Sequence, residues 1–292
     1  MNVIETRGLT RYFAAKRAVR GLDLDVPQGC ILGLLGENGS GKTTTINLLM
    51  GALVPNEGTA RVFGVDPLQM PPATRARIGY LADEAALPGW MKLREATRLH
   101  ASYFEQWDTQ ARRRLMKEYD LDADQPYGAL SKGQKRRFML TLIVSQRPDL
   151  LILDEPAGGL DVAVRRQFLD LLIALANERE ITILLSSHIL SDVERVVDHV
   201  AFIKAGGLVL QAPLEDLRAR VKRLCLPAST DEATLSKRFN LLSTRRAGDA
   251  LLAVVDDFEP ARLNGLDARV EHLNLEELFL VFNTLGPTKE EA

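Results

Sequence analysis

Residues 36–43 read Gly-Glu-Asn-Gly-Ser-Gly-Lys-Thr, which fits the pattern G-x-x-x-x-G-K-[ST]. Glycines in such a loop let backbone N–H groups converge on a phosphate without clashes from Cβ atoms. An apolar run at 30–35 precedes the loop, and a stretch with helical character follows it through Met50. This strand–loop–helix order is the context a phosphate-binding loop requires, since the helix N-terminus adds its positive dipole end. The stretch therefore predicts a P-loop α/β fold.

Each residue type in this loop has an expected role. We expect Lys42 to reach the β- and γ-phosphates and the Thr43 hydroxyl to ligate Mg²⁺. The other predicted phosphate contacts are Gly36, Asn38, Gly39, Ser40, Gly41 and Thr44.

Residues 150–155 supply a second motif. The run Leu-Leu-Ile-Leu predicts a buried parallel strand that delivers Asp154 and Glu155 to its C-terminal edge, where ligands of open α/β sheets bind. Asp154 is the expected Mg²⁺ partner. Glu155 is the candidate base that polarises an attacking water, because phosphoryl transfer needs mainly positioning and charge neutralisation. A strand ending in solvated acids is the alternative, and the phosphate loop upstream favours the functional interpretation.

Residues 130–134, Leu-Ser-Lys-Gly-Gln, resemble the LSGGQ signature of ABC (ATP-binding cassette) ATPases, with Lys132 in place of a glycine. The same residues fit a helix-capping box, because Ser131 is followed three positions later by Gln134. The two interpretations are compatible. A helix N-terminus that presents a serine hydroxyl and the N–H of Gly133 is suited to gripping a γ-phosphate.

The order of motifs makes the resemblance specific. Five motifs follow one another in the order of an ABC cassette, and the resemblance covers about residues 2–220. They are the phosphate loop, the signature, the apolar strand with two acids, Gly-Leu-Asp at 159–161 and Ser-His at 187–188. The resemblance implies ATP and Mg²⁺ as ligands. It also implies that Asp161 communicates across a dimer and that His188 senses the γ-phosphate. Phe13, or alternatively Tyr12, takes the place of the aromatic ring that stacks on adenine; taken singly, either ring is expected in the core.

Short apolar strands that alternate with helices predict a parallel core sheet with helices on both faces. The expected cassette, residues 1–220, has an N-terminal antiparallel β subdomain and a helical subdomain at about 84–147. A small α+β domain is expected at 223–292, because the pattern there resembles a ferredoxin-like unit.

Two positions depart from the family pattern. After the strand at 78–81 the family usually has a glutamine, whereas this chain has Asp83 followed by Glu84. Asp83 is predicted as a metal ligand, but it is shorter than glutamine and cannot donate a hydrogen bond when ionised. Our hypothesis is that Asp83 or Glu84 fills the role of that glutamine, with altered coupling between ATP hydrolysis and the partner protein. Lys132 lies near the composite ATP site or points to solvent, and the sequence leaves both open.

The resemblance implies a head-to-tail pair of cassettes, expected to be a homodimer, in which Ser131 and Gly133 of one copy complete the site of the other. The chain holds one cassette, and no apolar run approaches the roughly 20 residues that span a bilayer. A separate transmembrane permease is therefore the expected partner, with this chain on the cytoplasmic face of the inner membrane.

The direction of transport is predicted from the C-terminal stretch. Residues 275–279, Leu-Glu-Glu-Leu-Phe, resemble the small appended domain of ABC-2 type export ATPases of bacteria. The alternatives are an importer ATPase and a soluble ABC ATPase that acts on ribosomes or DNA. Chromosome and repair types carry a long coiled-coil insertion and ribosome types generally carry two cassettes, and neither feature is in this sequence.

Composition limits other functions. The formal net charge is −2, so no nucleic-acid partner is expected. Basic clusters at 112–114 and 135–137 are expected on solvated helix faces. The two cysteines, Cys30 and Cys225, have no metal-ligand spacing and predict neither a disulfide nor a zinc site.

Overall fold

The computed structural model describes residues 1–14, 16–83, 86–179 and 181–285. These residues form three sheets with helices around them. The strands are β1 (Asn2–Phe13), β2 (Lys16–Leu22), β3 (Asp25–Pro27), β4 (Ile31–Leu35), β5 (Glu57–Val62), β6 (Ile78–Leu81), β7 (Leu150–Leu153), β8 (Thr182–Ser187), β9 (His199–Lys204), β10 (Gly207–Pro213), β11 (Lys222–Pro227), β12 (Asn240–Ala247), β13 (Ala250–Asp256) and β14 (Arg269–His272). The helices are α1 (Lys42–Leu49), α2 (Pro72–Arg75), α3 (Leu93–Ala101), α4 (Thr109–Glu118), α5 (Lys132–Ser145), α6 (Val162–Arg179), α7 (Leu190–Val193), α8 (Leu214–Arg220), α9 (Glu232–Arg238) and α10 (Leu275–Leu285).

The central sheet has the strand order β10-β9-β4-β8-β7-β6. All its pairs are parallel except the β9–β10 hairpin. Strands β4, β7 and β8 are buried along their whole length, which explains the continuous apolar runs at 31–35, 150–153 and 183–185. The predicted parallel α/β core is confirmed.

The two faces of the central sheet belong to different hydrophobic cores, because alternate residues of a strand point to opposite sides. In β4, Leu32 and Leu34 join the core that the N-terminal sheet and α1 cover, whereas Ile31 and Leu35 join the core under the helices. The N-terminal sheet is antiparallel, with the order β2-β1-β3 and with β5 paired to β1. This is the antiparallel subdomain that the sequence predicts.

Helices α3, α4 and α5 lie between β6 and β7 in the chain. Helix α5 begins at the Ser131 cap and packs its buried Phe138 into the core under the helices. Its approach to the sheet is close: a Cβ atom added to Gly79 of β6 would lie 2.4 Å from Ile143 Cγ2 and 2.7 Å from Leu151 Cδ2. At the end of the helix, Gln146 Nε2 donates to the Ile78 carbonyl at 2.7 Å. The signature helix is thus held directly against the edge of the central sheet.

The C-terminal strands form a separate antiparallel sheet, in the order β12-β13-β11-β14. The chain order is strand, helix, two strands, a short turn of 3₁₀ helix and a strand, which is the ferredoxin-like succession. The 3₁₀ turn, Pro260–Leu263, takes the place of the second helix of that succession. Helix α10 then returns to the cassette, where Phe279 and Phe282 pack on Phe202.

We expect Gly79→Ala to destabilise the protein by about 1–3 kcal/mol, because the added methyl group overpacks the contact between β6 and α5. The measurement is urea unfolding followed by circular dichroism. Gly89→Ala is the matched control, because the nearest atom to its added Cβ would be an ordinary 3.6 Å away. Equal unfolding midpoints for the two variants would contradict this account of the packing.

Candidate functional site

The predicted phosphate loop joins the end of β4 to the start of α1, and two of its glycines are required by close backbone contacts. A Cβ atom on Gly36 would lie 2.4 Å from the Ile203 carbonyl oxygen. A Cβ atom on Gly41 would lie 2.4 Å from the Ala18 carbonyl oxygen, and Gly41 has a φ of 108°, in the left-handed region. The loop is therefore clamped between β9 and the start of β2.

Lys42 is a buried cation with three oxygen partners. Its Nζ donates to the carbonyl oxygens of Gly36 at 2.8 Å and Glu37 at 3.1 Å. The same Nζ lies 3.2 Å from Glu155 Oε1. The ammonium thus sits inside the curve of the loop, with one side turned to the carboxylate.

Glu155 connects this cation to the predicted sensor histidine. It follows β7 and has a φ of 45°, an unusual value for a residue other than glycine. Its Oε2 lies 2.8 Å from Nδ1 of His188. Lys42, Glu155 and His188 come from three distant segments of the chain, and the structure brings them into one contact chain as the motif order predicts.

Ser186 is a site residue that the sequence analysis missed. Its hydroxyl donates to Asp154 Oδ1 at 2.6 Å and accepts a hydrogen bond from the Glu155 N–H at 2.9 Å. The sequence does carry a signal, because Ser186 is a polar residue that follows the apolar run 183–185 and directly precedes Ser187 and His188. Asp154 is buried here. The pKa of Tyr80 is raised, first by the burial of the tyrosine itself and then by the negative charge of Asp154.

Arg136 is a second missed residue, and the expectation that its basic cluster lies on a solvated face is wrong at this position. Its side chain is only 6% exposed. The guanidinium donates to the Ala82 carbonyl at 2.6 Å, to Asp83 Oδ1 at 3.0 Å and to the Glu155 carbonyl at 3.1 Å. One side chain from the signature helix therefore ties the segment after β6 to the backbone of Glu155.

That network also defines the position of Asp83. In this structure its carboxylate pairs with Arg136 and does not join the contact chain around Lys42. Glu84, the other residue of the hypothesis about this segment, lies outside the described residues.

The signature and the Asp161 segment occupy two helix starts. Ser131 Oγ accepts from the Gln134 N–H at 3.2 Å, and Gln134 Oε1 accepts from the Ser131 N–H at 3.0 Å, so the predicted capping box is present. Asp161 Oδ1 accepts from the Val164 N–H at the start of α6. Gly133 packs near Val164, which brings the two helix starts together. These hydrogen bonds are made within each helix, and both Ser131 and Asp161 are exposed to solvent.

Lys132 lies across the neighbouring loop of its own chain. A Cβ atom on Gly159 would come within 2.3 Å of Lys132 Nζ. Lys132 is an exposed residue whose ammonium lies beside Gly159 of its own chain.

The two aromatic candidates for adenine stacking differ. Phe13, the predicted adenine-stacking residue, does not lie in the core as the alternative had it, because it is 44% exposed, with the Arg11 guanidinium 4.9 Å from the ring centre. Tyr12 is held by a side-chain hydrogen bond, because its hydroxyl donates to Glu57 Oε1. Of the two residues, Phe13 is the more exposed. Among the remaining loop residues, Asn38, Gly39 and Thr43 are exposed and Thr44 is half-buried.

One group of metal-ligating residue types lies apart from these residues. Cys30, Asp198 and His199 bring their ligand atoms within 4.8 Å of one another. Both Asp198 oxygens accept from the Ile31 N–H, and Oδ1 also contacts His199 Nδ1. Burial, together with the Asp198 charge, raises the pKa of the Cys30 thiol to about 12. The group functions as a strand cap beside a protonated thiol.

Several known sequences similar to this chain are named as ATP-binding proteins. A sequence model of the family described as ABC transporter matches residues 19–158. The daunorubicin/doxorubicin resistance ATP-binding protein DrrA of Streptomyces peucetius is 36% identical over 234 residues, covering 74% of this chain and 67% of that protein. The bacitracin transport ATP-binding protein BcrA of Bacillus licheniformis is 34% identical, covering 76% and 73%. The Nod factor export ATP-binding protein I of Burkholderia lata is 32% identical and covers 95% of each chain.

Solved structures agree on the fold. An ATP-binding subunit of an ABC transporter superposes with a TM-score of 0.68 at 27% identity, covering 74% of this chain and 92% of that one. A dimeric bacterial ABC transporter cassette superposes with a TM-score of 0.65 at 20% identity, covering 72% and 98%. About a quarter of this chain therefore lies outside the region that superposes on these cassettes.

We expect Arg136→Met to lower the free energy of unfolding by about 1–3 kcal/mol, because the Ala82 and Glu155 carbonyls lose a buried donor. Thermal unfolding measures the change. Arg113→Met, at an exposed position of α4, is the control and should stay within about 0.5 kcal/mol of the wild type. If both variants unfold like the wild type, Arg136 does not hold the two segments together.

Proposed function

This chain belongs to the ABC transporter family of ATP-hydrolysing cassettes, and on that basis we propose that it is the ATPase subunit of a bacterial ABC-2 type exporter. The observation that carries export is the similarity to the Nod factor export protein over 95% of this chain, a span that extends well beyond the cassette into the C-terminal sheet. The names of the DrrA and BcrA relatives, which concern drug resistance and bacitracin transport, support the same direction.

We propose that the phosphates of ATP bind in the loop beside Lys42. Two features of the loop support this. Lys42 lies within reach of the loop interior, and among the described residues the buried Ser40 Oγ has no hydrogen-bond partner. Triphosphate oxygens would compete with Glu155 for the ammonium, because both are anionic. Phe13 is exposed at the end of β1, as stacking on adenine requires.

The proposed Mg²⁺ ligands are Thr43 and Asp154. The donor set fits, since Mg²⁺ prefers hard oxygen ligands and keeps several waters. Thr43 is exposed in the first turn of α1, and Ser186 holds the Asp154 carboxylate. When bound, the ion neutralises charge on the phosphates. Asp83 would first have to leave Arg136 to take part.

In the proposed hydrolysis, Glu155 accepts a proton from the attacking water through one of its carboxylate oxygens. His188 contacts the other oxygen at 2.8 Å and thereby orients the carboxylate. The Glu155 N–H bond to Ser186 fixes the backbone behind it. Lys42 stabilises the negative charge on the transferred phosphoryl group.

We propose that a second copy completes each site. Ser131, Gly133 and Gln134 lie at the outward-facing start of α5, and Asp161 starts the adjacent α6. Helix N-termini bind anions well, so these ends suit the γ-phosphate of a partner's ATP. The dimeric cassette of the same fold supports this arrangement.

We further propose a transmembrane permease as a separate partner, with the cassette on the cytoplasmic face of the membrane. No helix among the described residues combines the length and apolar character needed to cross a bilayer. Trp90, Leu99 and Tyr103, in or next to α3, are large apolar side chains that are largely exposed. Such a surface on the helical subdomain suits contact with another protein.

We expect Glu155→Gln to abolish steady-state ATP hydrolysis while retaining ATP binding, because an amide cannot accept the proton but has the same shape. Binding should be at least as tight as in the wild type, since the carboxylate no longer competes for Lys42. With ATP this variant should accumulate as a dimer. Fluorescent-nucleotide titration and light scattering measure binding and mass.

Lys42→Ala is the matched comparison and should lose ATP binding. Full ATPase activity in that variant would refute the phosphate site. An ATP-bound Glu155→Gln protein that stays monomeric would refute the completion of the site by a second copy.

The transporter assignment predicts a stoichiometric membrane partner. Affinity purification of the tagged chain from detergent-solubilised membranes, followed by mass spectrometry, should recover one polytopic membrane protein. Recovery with a periplasmic solute-binding protein would favour import over export. Recovery with ribosomes or DNA, without a membrane protein, would refute transport and leave the ATPase chemistry intact.

A further inference from the structure

Helix α10 of the C-terminal region makes hydrogen bonds to two separate segments of the cassette, one at each end of the helix. At its start, the Leu275 N–H donates to Glu194 Oε1 at 3.0 Å, and Glu194 lies six residues beyond His188. At its end, Asn283 Nδ2 donates to Glu37 Oε1 at 3.2 Å. Lys204 Nζ also donates to the Asn283 carbonyl oxygen. The helix therefore spans from the segment after the sensor histidine to the phosphate loop.

Aromatic packing fixes the position of this helix. Phe279 meets Phe202 edge to face, with ring centres 5.3 Å apart at 89°, and Phe282 lies 6.3 Å from the same ring. Phe202 in β9 pairs with Leu35, the residue directly before the loop. A shift of α10 would thus be transmitted to the strand that supports the loop.

Glu37 connects Asn283 to the central cation. Its side-chain oxygen accepts from Asn283, and its backbone oxygen accepts from Lys42 Nζ at 3.1 Å. A cavity of about 260 Å³ lies beside this contact. Its lining includes Glu37, Asn38, Gly39, Ser40, Lys204 and Asn283.

We propose that Asn283 is a positioning residue for ATP binding. By holding the Glu37 side chain, it keeps the first half of the phosphate loop in the conformation that presents its carbonyl oxygens to Lys42. The C-terminal domain thereby sets the affinity of the loop for ATP, while hydrolysis at Glu155 proceeds on residues that α10 does not touch. The inference rests on the proposed role of the loop in binding ATP.

The test is a charge substitution with a designed rescue. Asn283→Asp places a carboxylate against that of Glu37, and we expect KM for ATP to rise about threefold to tenfold, the range of one lost hydrogen bond. The value of kcat should stay within about twofold, because no group that contacts the reacting atoms changes. Glu276→Ala, at an exposed position on the same helix, is the control and should match the wild type.

Adding Glu37→Gln to Asn283→Asp should restore KM, because the new amide donates to the new carboxylate and re-forms the contact with reversed polarity. A general loss of structure would not be rescued in this way. Asn283→Ala should give an intermediate rise in KM. Thermal midpoints of all variants are measured alongside.

Two results would overturn the inference. One is a KM for Asn283→Asp equal to that of Glu276→Ala; the other is additive defects in the double variant without rescue. Lys42→Ala, assayed in parallel, separates this from failure of the proposed site. If Lys42→Ala binds ATP like the wild type, the phosphate site itself is wrong; if it loses ATP while Asn283→Asp is unaffected, only the positioning role is wrong.

Discussion

The buried ammonium of Lys42 is the group around which the rest of the site is arranged. An unpaired cation in this position would cost several kcal/mol, so it must always have anionic or carbonyl partners. The loop supplies two carbonyl oxygens, and Glu155 supplies the charge. Under the proposed function, the carboxylate that balances Lys42 in this state would become available to the attacking water once phosphates take its place. In this proposal, the charge requirement of one lysine couples ATP binding to the availability of the base.

The parallel sheet makes this arrangement possible. Strands β4, β7 and β8 run in the same direction, and Leu35 lies in register with Ser187. Their carboxyl ends therefore deliver the phosphate loop, the two acids and the serine–histidine pair to one edge, where open α/β sheets bind ligands. Backbone contacts at Gly36 and Gly41 then fix the loop against its neighbours. In the proposed function, the side chains of Lys42 and Glu155 exchange partners when phosphates bind.

Much of this could be predicted because the motifs are local. The phosphate loop and the acids after β7 can each be recognised from no more than eight consecutive residues. The order of the motifs along the chain then indicates the family. Arg136 could not be found in this way, because its burial depends on how α5 packs between Asp83 and Glu155, and a run of three basic residues usually indicates solvent. Asn283 gives no signal at all, since its partner Glu37 is 246 residues away. The sequence predicts the C-terminal region as a pattern of elements, but it does not predict the contact with the loop, which depends on the packing of α10 on Phe202 and on the Asn283–Glu37 hydrogen bond. The division into domains and the roles of the individual site residues remain predictions.

The most direct measurement is a crystal structure of the wild-type protein with Mg²⁺ and a non-hydrolysable ATP analogue. The account predicts phosphate oxygens within hydrogen-bond distance of Lys42 Nζ, with Glu155 released from the lysine and still in contact with His188. A nucleotide bound elsewhere, or a phosphate loop in which the Lys42–Glu155 contact persists beside the nucleotide, would contradict it.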